Sequence, residues 1–230
     1  MSPASPVRPV ALVTGASRGI GLAIARDLGR DHHVLVGGRD TASVSRIVSE
    51  LESAEPFVTD LTNDELPTVP KRVDVLVHSA AVGGFLAPIA ELSREQWRAV
   101  FEVNVFAVAE LTRLLLPALR RADGLVITIN SGSGFVSNAR SALYSASKFA
   151  LRAFTDALRE EERGRVRVSS VHPGRVDTDM QRSLVDQEGD EYDARFTITP
   201  EMIAQAVRAV VDMPHSGTVE SLSVRPVHKR

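Results

Sequence analysis

Tyr144 and Lys148 stand four residues apart in Tyr144-Ser145-Ala146-Ser147-Lys148, and Ser131 precedes the tyrosine by thirteen residues. On a helix, a spacing of four puts both side chains on one face. A phenol, an ammonium and a hydroxyl grouped this way can protonate a carbonyl oxygen while a nicotinamide delivers hydride to the carbon. A free tyrosine has a pKa of about 10, and bringing it to neutrality takes roughly 4 kcal/mol of differential interaction. A nearby ammonium and an oxidised nicotinamide both favour the phenolate and would supply that interaction. Tyr144 is then the general acid in carbonyl reduction and the general base in alcohol oxidation. Ser131 would hydrogen-bond the substrate oxygen, and Lys148 the nicotinamide ribose. Taken singly, each residue also has a bland reading: a packed tyrosine, a solvated lysine, a serine in the loop Ser131-Gly132-Ser133-Gly134. Their joint spacing and chain order are what point to chemistry.

Upstream, Thr14-Gly15-Ala16-Ser17-Arg18-Gly19-Ile20-Gly21 follows an apolar run and opens a helical pattern. Glycines there allow a tight turn and close approach of backbone amides to a pyrophosphate, and a helix N-terminus adds partial positive charge. Gly15, Ser17, Arg18, Gly19, Ile20 and Gly21 are therefore candidate cofactor contacts. An acidic residue after the second strand would bind a ribose 2′-hydroxyl and select NAD. This chain has Gly37-Gly38-Arg39 instead, followed by Asp40. The small Gly38 leaves room, and Arg39 with Arg18 can meet a 2′-phosphate, so the expected cofactor is NADP(H) in preference to NAD(H). Asp60 and Leu61, after the third strand, are expected near the adenine.

These residues need a frame to hold them. Strands are expected at Val10–Val13, His33–Gly37, Phe57–Val58, Val73–His78, Leu125–Ile129, Arg167–Val171 and Val219–Val224, each a short apolar or β-branched run. Helical periodicity covers Arg18–Arg30, Ala42–Ser53, a long region from the capping-box pattern at Ser93-Arg94-Glu95-Gln96 to about Arg121, and Tyr144–Arg163. A last helix follows Thr199-Pro200. Strands alternating with helices imply a doubly wound α/β (Rossmann) fold: one parallel sheet of about seven strands with helices on both faces. Residues 1–9 read as a short disordered lead-in and residues 10–230 as one domain. The polar stretch Asp179–Phe196 has weak periodicity and is a candidate substrate lid.

Composition sets outer limits. The 230 residues suit one α/β domain, and a formal charge of -2 with mixed signs gives no support for a nucleic-acid or anionic-membrane partner. There is no cysteine, which removes disulfides and thiolate metal sites and fits a cytoplasmic protein. The histidines show no metal-ligand spacing, so no metal is expected.

With these motifs assembled, the sequence resembles the short-chain dehydrogenase/reductase family in its compact single-domain branch, from Val10 to about Pro226. The resemblance is carried by the glycine turn, Asp60-Leu61, Asn104, Ser131, Tyr144 with Lys148, and Pro173-Gly174-Arg175-Val176-Asp177-Thr178. It implies that Asn104 interrupts the long helix and that its carbonyl holds a water bonded to the lysine, the start of a proton relay to solvent. It implies a place for Pro173 and Gly174 beside the cofactor, and a hold on the nicotinamide carboxamide by Thr178 and the backbone of Val176. It also implies a homodimer or homotetramer. One departure stands out: His78-Ser79-Ala80-Ala81 occupies the position of the family's Asn-Asn-Ala-Gly. Ser79 thus replaces an asparagine that supports the sheet, Ala81 replaces a glycine beside the cofactor ribose, and Ala80 is shared. His78 is expected to be a satisfied strand-end histidine.

Val82, Gly83, Phe85, Phe135 and Val136, with Met180, Leu184, Tyr192 and Phe196 from the lid, would line an apolar substrate pocket. This favours an uncharged, moderately hydrophobic ketone or aldehyde, or the corresponding secondary alcohol. Two other functions fit the same residues: an NAD-linked alcohol dehydrogenase, and a cofactor-sensing binding protein without turnover.

Overall fold

The computed structural model describes residues 8–63 and 68–228. Residues 1–7 of the expected lead-in lie outside the described residues. Seven strands, β1 (Val10–Val13), β2 (His33–Gly38), β3 (Ala54–Val58), β4 (Val75–His78), β5 (Leu125–Ile129), β6 (Arg167–Pro173) and β7 (Ser221–Val224), form one sheet in the order β3-β2-β1-β4-β5-β6-β7. Every pairing is parallel. The helices are α1 (Gly19–Leu28), α2 (Thr41–Glu50), α3 (Arg94–Phe101), α4 (Ala107–Arg121), α5 (Ala142–Glu161), α6 (Asp179–Glu188) and α7 (Pro200–Val211).

Strand alternation divides the core. Val13, Val36, Val77 and Ile127 point to one face, where Ile24 of α1, Val44 of α2 and Val207 of α7 cover them. Leu12, Leu35, Leu76 and Val126 point to the other, under Leu111 and Leu115 of α4 and Leu158 of α5. Both faces are thus sealed, as a parallel sheet requires. Pairing runs outward from β1 to β2 on one side and to β4 on the other. The loops that leave these two strands therefore diverge, and a crevice opens at the carboxyl ends of β1 and β4.

Several boundaries differ from the sequence expectations. Strand β3 begins at Ala54 because Val34 to Gly38 of β2 offer a ladder to Ala54 through Val58, a pairing that overrides the weak strand propensity of Ala, Glu and Pro. Strand β7 starts at Ser221 and excludes Val219. The long helical region after the Ser93–Gln96 capping box is broken by a π-helical turn, Glu102–Phe106, that contains Asn104. The polar stretch of weak periodicity, read as a candidate substrate lid, holds a regular helix, α6. Thr178 caps its start by accepting from Gln181 N, and Gly189 ends it in the left-handed region at φ 74°. No helix among the described residues is long and apolar enough to cross a membrane.

Candidate active site

The β1–α1 turn is closed by glycines for steric reasons. Gly15 has φ 63°, and a Cβ there would sit 2.8 Å from Ala80 Cα; a Cβ on Gly21 would sit 2.3 Å from the Gly15 carbonyl oxygen. The turn is therefore pressed against both the β4 loop and itself. Thr14 joins the two: its hydroxyl accepts from Ser79 N at 3.0 Å and Ala80 N at 3.1 Å. This threonine ties the glycine turn to the β4 loop, and it was missed as a site residue although it begins the glycine motif. Arg18 gives α1 no side-chain cap and the first turn carries no acid, so that helix end is suited to an anion.

The crevice is about 560 Å³ and is walled by Gly15, Ser17, Arg18, Gly19, Ile20 and Gly21, then by Arg39, Asp60 and Leu61, then by Ser79, Ala80 and Ala81. Tyr144, Lys148 and Thr178 close its inner end. All of these are sequence-identified candidates. Asn104, Ser131, Pro173, Gly174 and Val176 do not line it. Asn104 and Ser131 sit outside the wall, held by hydrogen bonds described below. Gly174 donates its N–H to Val224 O and lacks room for a side chain because a Cβ would come within 2.7 Å of Pro226. Its need for glycine thus comes from the C-terminal segment. Pro173 ends β6 against Val224, and Val176 is buried in a parallel bridge to Ile198.

At the end of the crevice beside Arg39, the Asp40 side chain is engaged elsewhere. Its carboxylate caps α2 by accepting from Ser43 N at 2.8 Å. Gly38 is required by Val44, whose methyl would lie 2.7 Å from an added Cβ. Both arginines stand largely exposed with one distant carboxylate each: Arg39 is 3.7 Å from Asp60 and Arg18 is 3.7 Å from Asp179. The Asp60 carboxylate also accepts from the backbone and hydroxyl of Thr62, which hold its pKa below the usual range.

At the chemical end, Lys148 is almost fully buried and donates from Nζ to Ile129 O at 3.0 Å. Its ammonium lies 5.6 Å from the centre of the Tyr144 ring. Burial pushes the lysine down to about 8 and the tyrosine up to about 12; the nearby Ser131 hydroxyl pulls the tyrosine the other way. In this state burial outweighs the stabilisation of the phenolate expected from the nearby ammonium. Asn104 is buried in the π-helical turn, with its side chain spent on structure. Oδ1 accepts from Val82 N, while Nδ2 donates to Val82 O and Ser147 Oγ, at 2.9 to 3.0 Å. It pins the β4 loop to α5 one residue before Lys148. The Thr178 hydroxyl is similarly used, accepting from Gln181 N and donating to Val176 O.

His78 is buried, as expected for a satisfied histidine. Its Nε2 lies 2.9 Å from Thr112 Oγ1, whose own proton goes to Val108 O, so the ring is the donor. Burial takes its pKa down to about 3.

Of the expected substrate-side residues, Val82, Gly83, Met180 and Leu184 line the crevice. Phe85, Phe135, Val136, Tyr192 and Phe196 do not; Phe135 instead stacks on His172 at 4.3 Å. Sequence reading missed Gly84, Val103, Asn130, Ser183 and Gln187 on the wall. Met180, Ser183, Leu184 and Gln187 follow the i, i+3, i+4, i+7 pattern of one helical face, which was legible once α6 is taken as a helix. Gln187 also accepts from Leu86 N at 3.0 Å, tying that helix across the mouth.

The family model for short chain dehydrogenases matches residues 9–189, from the glycine turn through α6. A short-chain type dehydrogenase/reductase of Sinorhizobium fredii, y4eK, is 34% identical, with 94% of this chain and 91% of that one covered. Dehydrogenase/reductase SDR family member 11 of Gallus gallus is 31% identical over 96% of each chain. Among solved structures, an alcohol dehydrogenase of the archaeon Thermococcus sibiricus complexed with 5-hydroxy-NADP superposes with a TM-score of 0.86. It is 29% identical and the match covers 97% of this chain and 98% of that one. The closed form of a serine dehydrogenase complexed with NADP+ gives a TM-score of 0.83 at 26% identity over 96% of each chain.

Proposed function

The chain belongs to the short-chain dehydrogenase/reductase family of oxidoreductases, and we propose that it is an NADP(H)-dependent reductase of an uncharged ketone or aldehyde, reversible toward the secondary alcohol. One observation carries this reading: Tyr144 and Lys148 close the inner end of the crevice that the glycine turn opens, with the Ser131 hydroxyl near enough to the phenol to favour its ionised form.

The residues fit a dinucleotide. The uncapped start of α1 and the Gly15 turn would take the pyrophosphate, Arg18 and Arg39 a 2′-phosphate, Asp60 and Leu61 the adenine side, and Ala80 and Ala81 the ribose. When bound, NADPH supplies the hydride that reaches the carbonyl carbon. Tyr144 gives its phenolic proton to the carbonyl oxygen, completing the alcohol, and takes it back in the reverse direction. Ser131 orients that oxygen. Lys148, held by Ile129 O, places its positive charge beside the phenol and lowers the cost of the phenolate left behind. A water relay that re-protonates Tyr144 would pass through the main-chain carbonyl of Asn104, because its side-chain oxygen is engaged by Val82.

The choice of NADP(H) over NAD(H) is supported by two arginines at the selecting position and by the diversion of Asp40 to its helix cap. The NADP-type ligands named for similar structures agree with it. Assembly into a homodimer or homotetramer in the cytoplasm belongs to the same reading, supported by exposed Phe106 beside α4 and Phe149 on α5. The test is titration with NADPH and NADH, followed by nicotinamide fluorescence, then a carbonyl panel with the tighter cofactor. Much tighter NADPH binding and turnover of neutral carbonyls are expected. Tighter NADH binding would favour NAD-linked alcohol oxidation instead, and binding without turnover a sensing role.

A further inference from the structure

We infer that His172 is a positioning residue for Ser131, holding the catalytic loop at the point where the sheet stops holding it. The parallel ladder between β5 and β6 ends with Asn130 N donating to Val171 O at 2.7 Å. One step further the chain turns away into the short helical turn Gly132–Gly134, so a backbone partner from β6 is lost. The His172 side chain takes its place: Nδ1 lies 3.1 Å from Ser131 O. A carbonyl only accepts, so the Nδ1–H tautomer is required.

The imidazole is itself fixed. His172 is 1% exposed, and its ring stacks on Phe135 with centroids 4.3 Å apart. Its carbonyl accepts from Arg225 Nη1 at 2.8 Å, and the same guanidinium packs against Gly132 so closely that a Cβ there would meet Nη2 at 3.1 Å. On the other flank of Ser131, the Asn130 side-chain oxygen accepts from Ser131 N at 2.9 Å. Ser131 is thus gripped at both its N–H and its carbonyl, and its Oγ accepts from Ser133 N at 3.1 Å, which fixes the backbone that presents the hydroxyl beside Tyr144. Burial lowers the pKa of His172 and keeps the ring neutral at pH 7. The hydrogen bond to Ser131 and the charge of Asp156 oppose this, and the charges of Arg225 and Arg152 reinforce it.

The inference rests on the proposed role of Ser131 and Tyr144, and its test separates the two. Asparagine can place an amide donor near the position of Nδ1, glutamine extends it too far, and leucine removes it. The protein has two tyrosines. Protein labelled with ¹³Cζ-tyrosine therefore gives two resonances, and Tyr192→Phe identifies that of Tyr144. The expected result is that His172→Leu and His172→Gln move the Tyr144 resonance while His172→Asn leaves it near its native position. In turnover, Leu and Gln should lower kcat by roughly 10- to 100-fold with KM for the cofactor unchanged, and Asn should restore most of it. Thermal melts identify any variant that fails to fold. An unmoved Tyr144 resonance in the Leu and Gln variants overturns the inference, as does an Asn variant as perturbed as the Leu one. If the native protein turns over no carbonyl or alcohol, the proposed function fails, while the resonance still decides the role of His172.

Discussion

Lys148 Nζ donates to the main-chain oxygen of Ile129 at 3.0 Å, so the buried ammonium is held by the last residue of β5. Burial lowers its pKa to about 8. The unfolded chain then holds more protons than the folded one between pH 8 and about 10.5, and stability rises with pH through that window. Below pH 8 the full cost of burying the ammonium is present. Lys148→Met should therefore abolish turnover yet stabilise the protein at pH 7 by about 1–3 kcal/mol, or roughly 3–8 °C in Tm, and flatten the rise above pH 8. Urea denaturation between pH 7 and 10 checks it; an unchanged slope would remove Lys148 as its source.

Tyr144→Phe deletes the proposed proton donor and leaves the ring. A fall in kcat of roughly 10²–10⁴-fold is expected, with the dissociation constant for NADPH changed by less than about threefold. Stopped-flow turnover beside fluorescence titration separates the two quantities.

Arg39→Ala removes a charge from the proposed 2′-phosphate end. NADPH binding should weaken by about 10- to 100-fold and NADH binding should stay level, since a charge-assisted hydrogen bond contributes about 1.5–3 kcal/mol. Arg18→Ala should act in the same direction. Equal loss for both cofactors would mean that the arginines serve the fold or the pyrophosphate.

Asn104→Ala leaves the N–H and C=O of Val82 without their partners and Ser147 without its donor. A loss of about 2–4 kcal/mol is expected, read as a lower urea midpoint with an unchanged m-value.

His78 adds an acid limb to stability. Its folded pKa of about 3 lies below the unfolded value near 6.5, so the unfolded state binds the extra proton between these pH values. Its contribution is complete above about pH 6.5 and is lost at up to about 1.4 kcal/mol per pH unit as the pH falls toward 3. His78→Asn should make stability flatter across that range, measured by urea midpoints at successive pH values.

What the sequence disclosed follows from how local each signal is. Tyr144 and Lys148 are linked by helical periodicity, and the glycine turn by its place between a strand and a helix, so both could be recognised from one chain. The seven strands were legible because strands buried on both faces are apolar throughout. Thr14 as the anchor of the β4 loop was not legible, since its partners Ser79 and Ala80 lie 65 and 66 residues away. Nor was the diversion of Val176 and Gly174 from the crevice, which depends on pairing with Ile198 and Val224. The outward placement of Phe135 follows from His172, in a different strand. The helix at Asp179–Glu188 could have been found, since Thr178 and Gly189 are ordinary start and stop signals and Met180, Leu184 and Gln187 mark one face.

The parting of the chain at β1 and β4 also bears on how such a protein can change. Residues that would distinguish one dinucleotide from another sit after β1 and β2, whereas those that would surround the reacting carbon come from β4, β5, α5 and α6. The wall shared between them is mostly backbone, at Gly15 and Ala80. On the proposed reading, substitutions on one flank can accumulate without disturbing the other, so that coenzyme preference and substrate range would be separately inheritable traits of a single sheet.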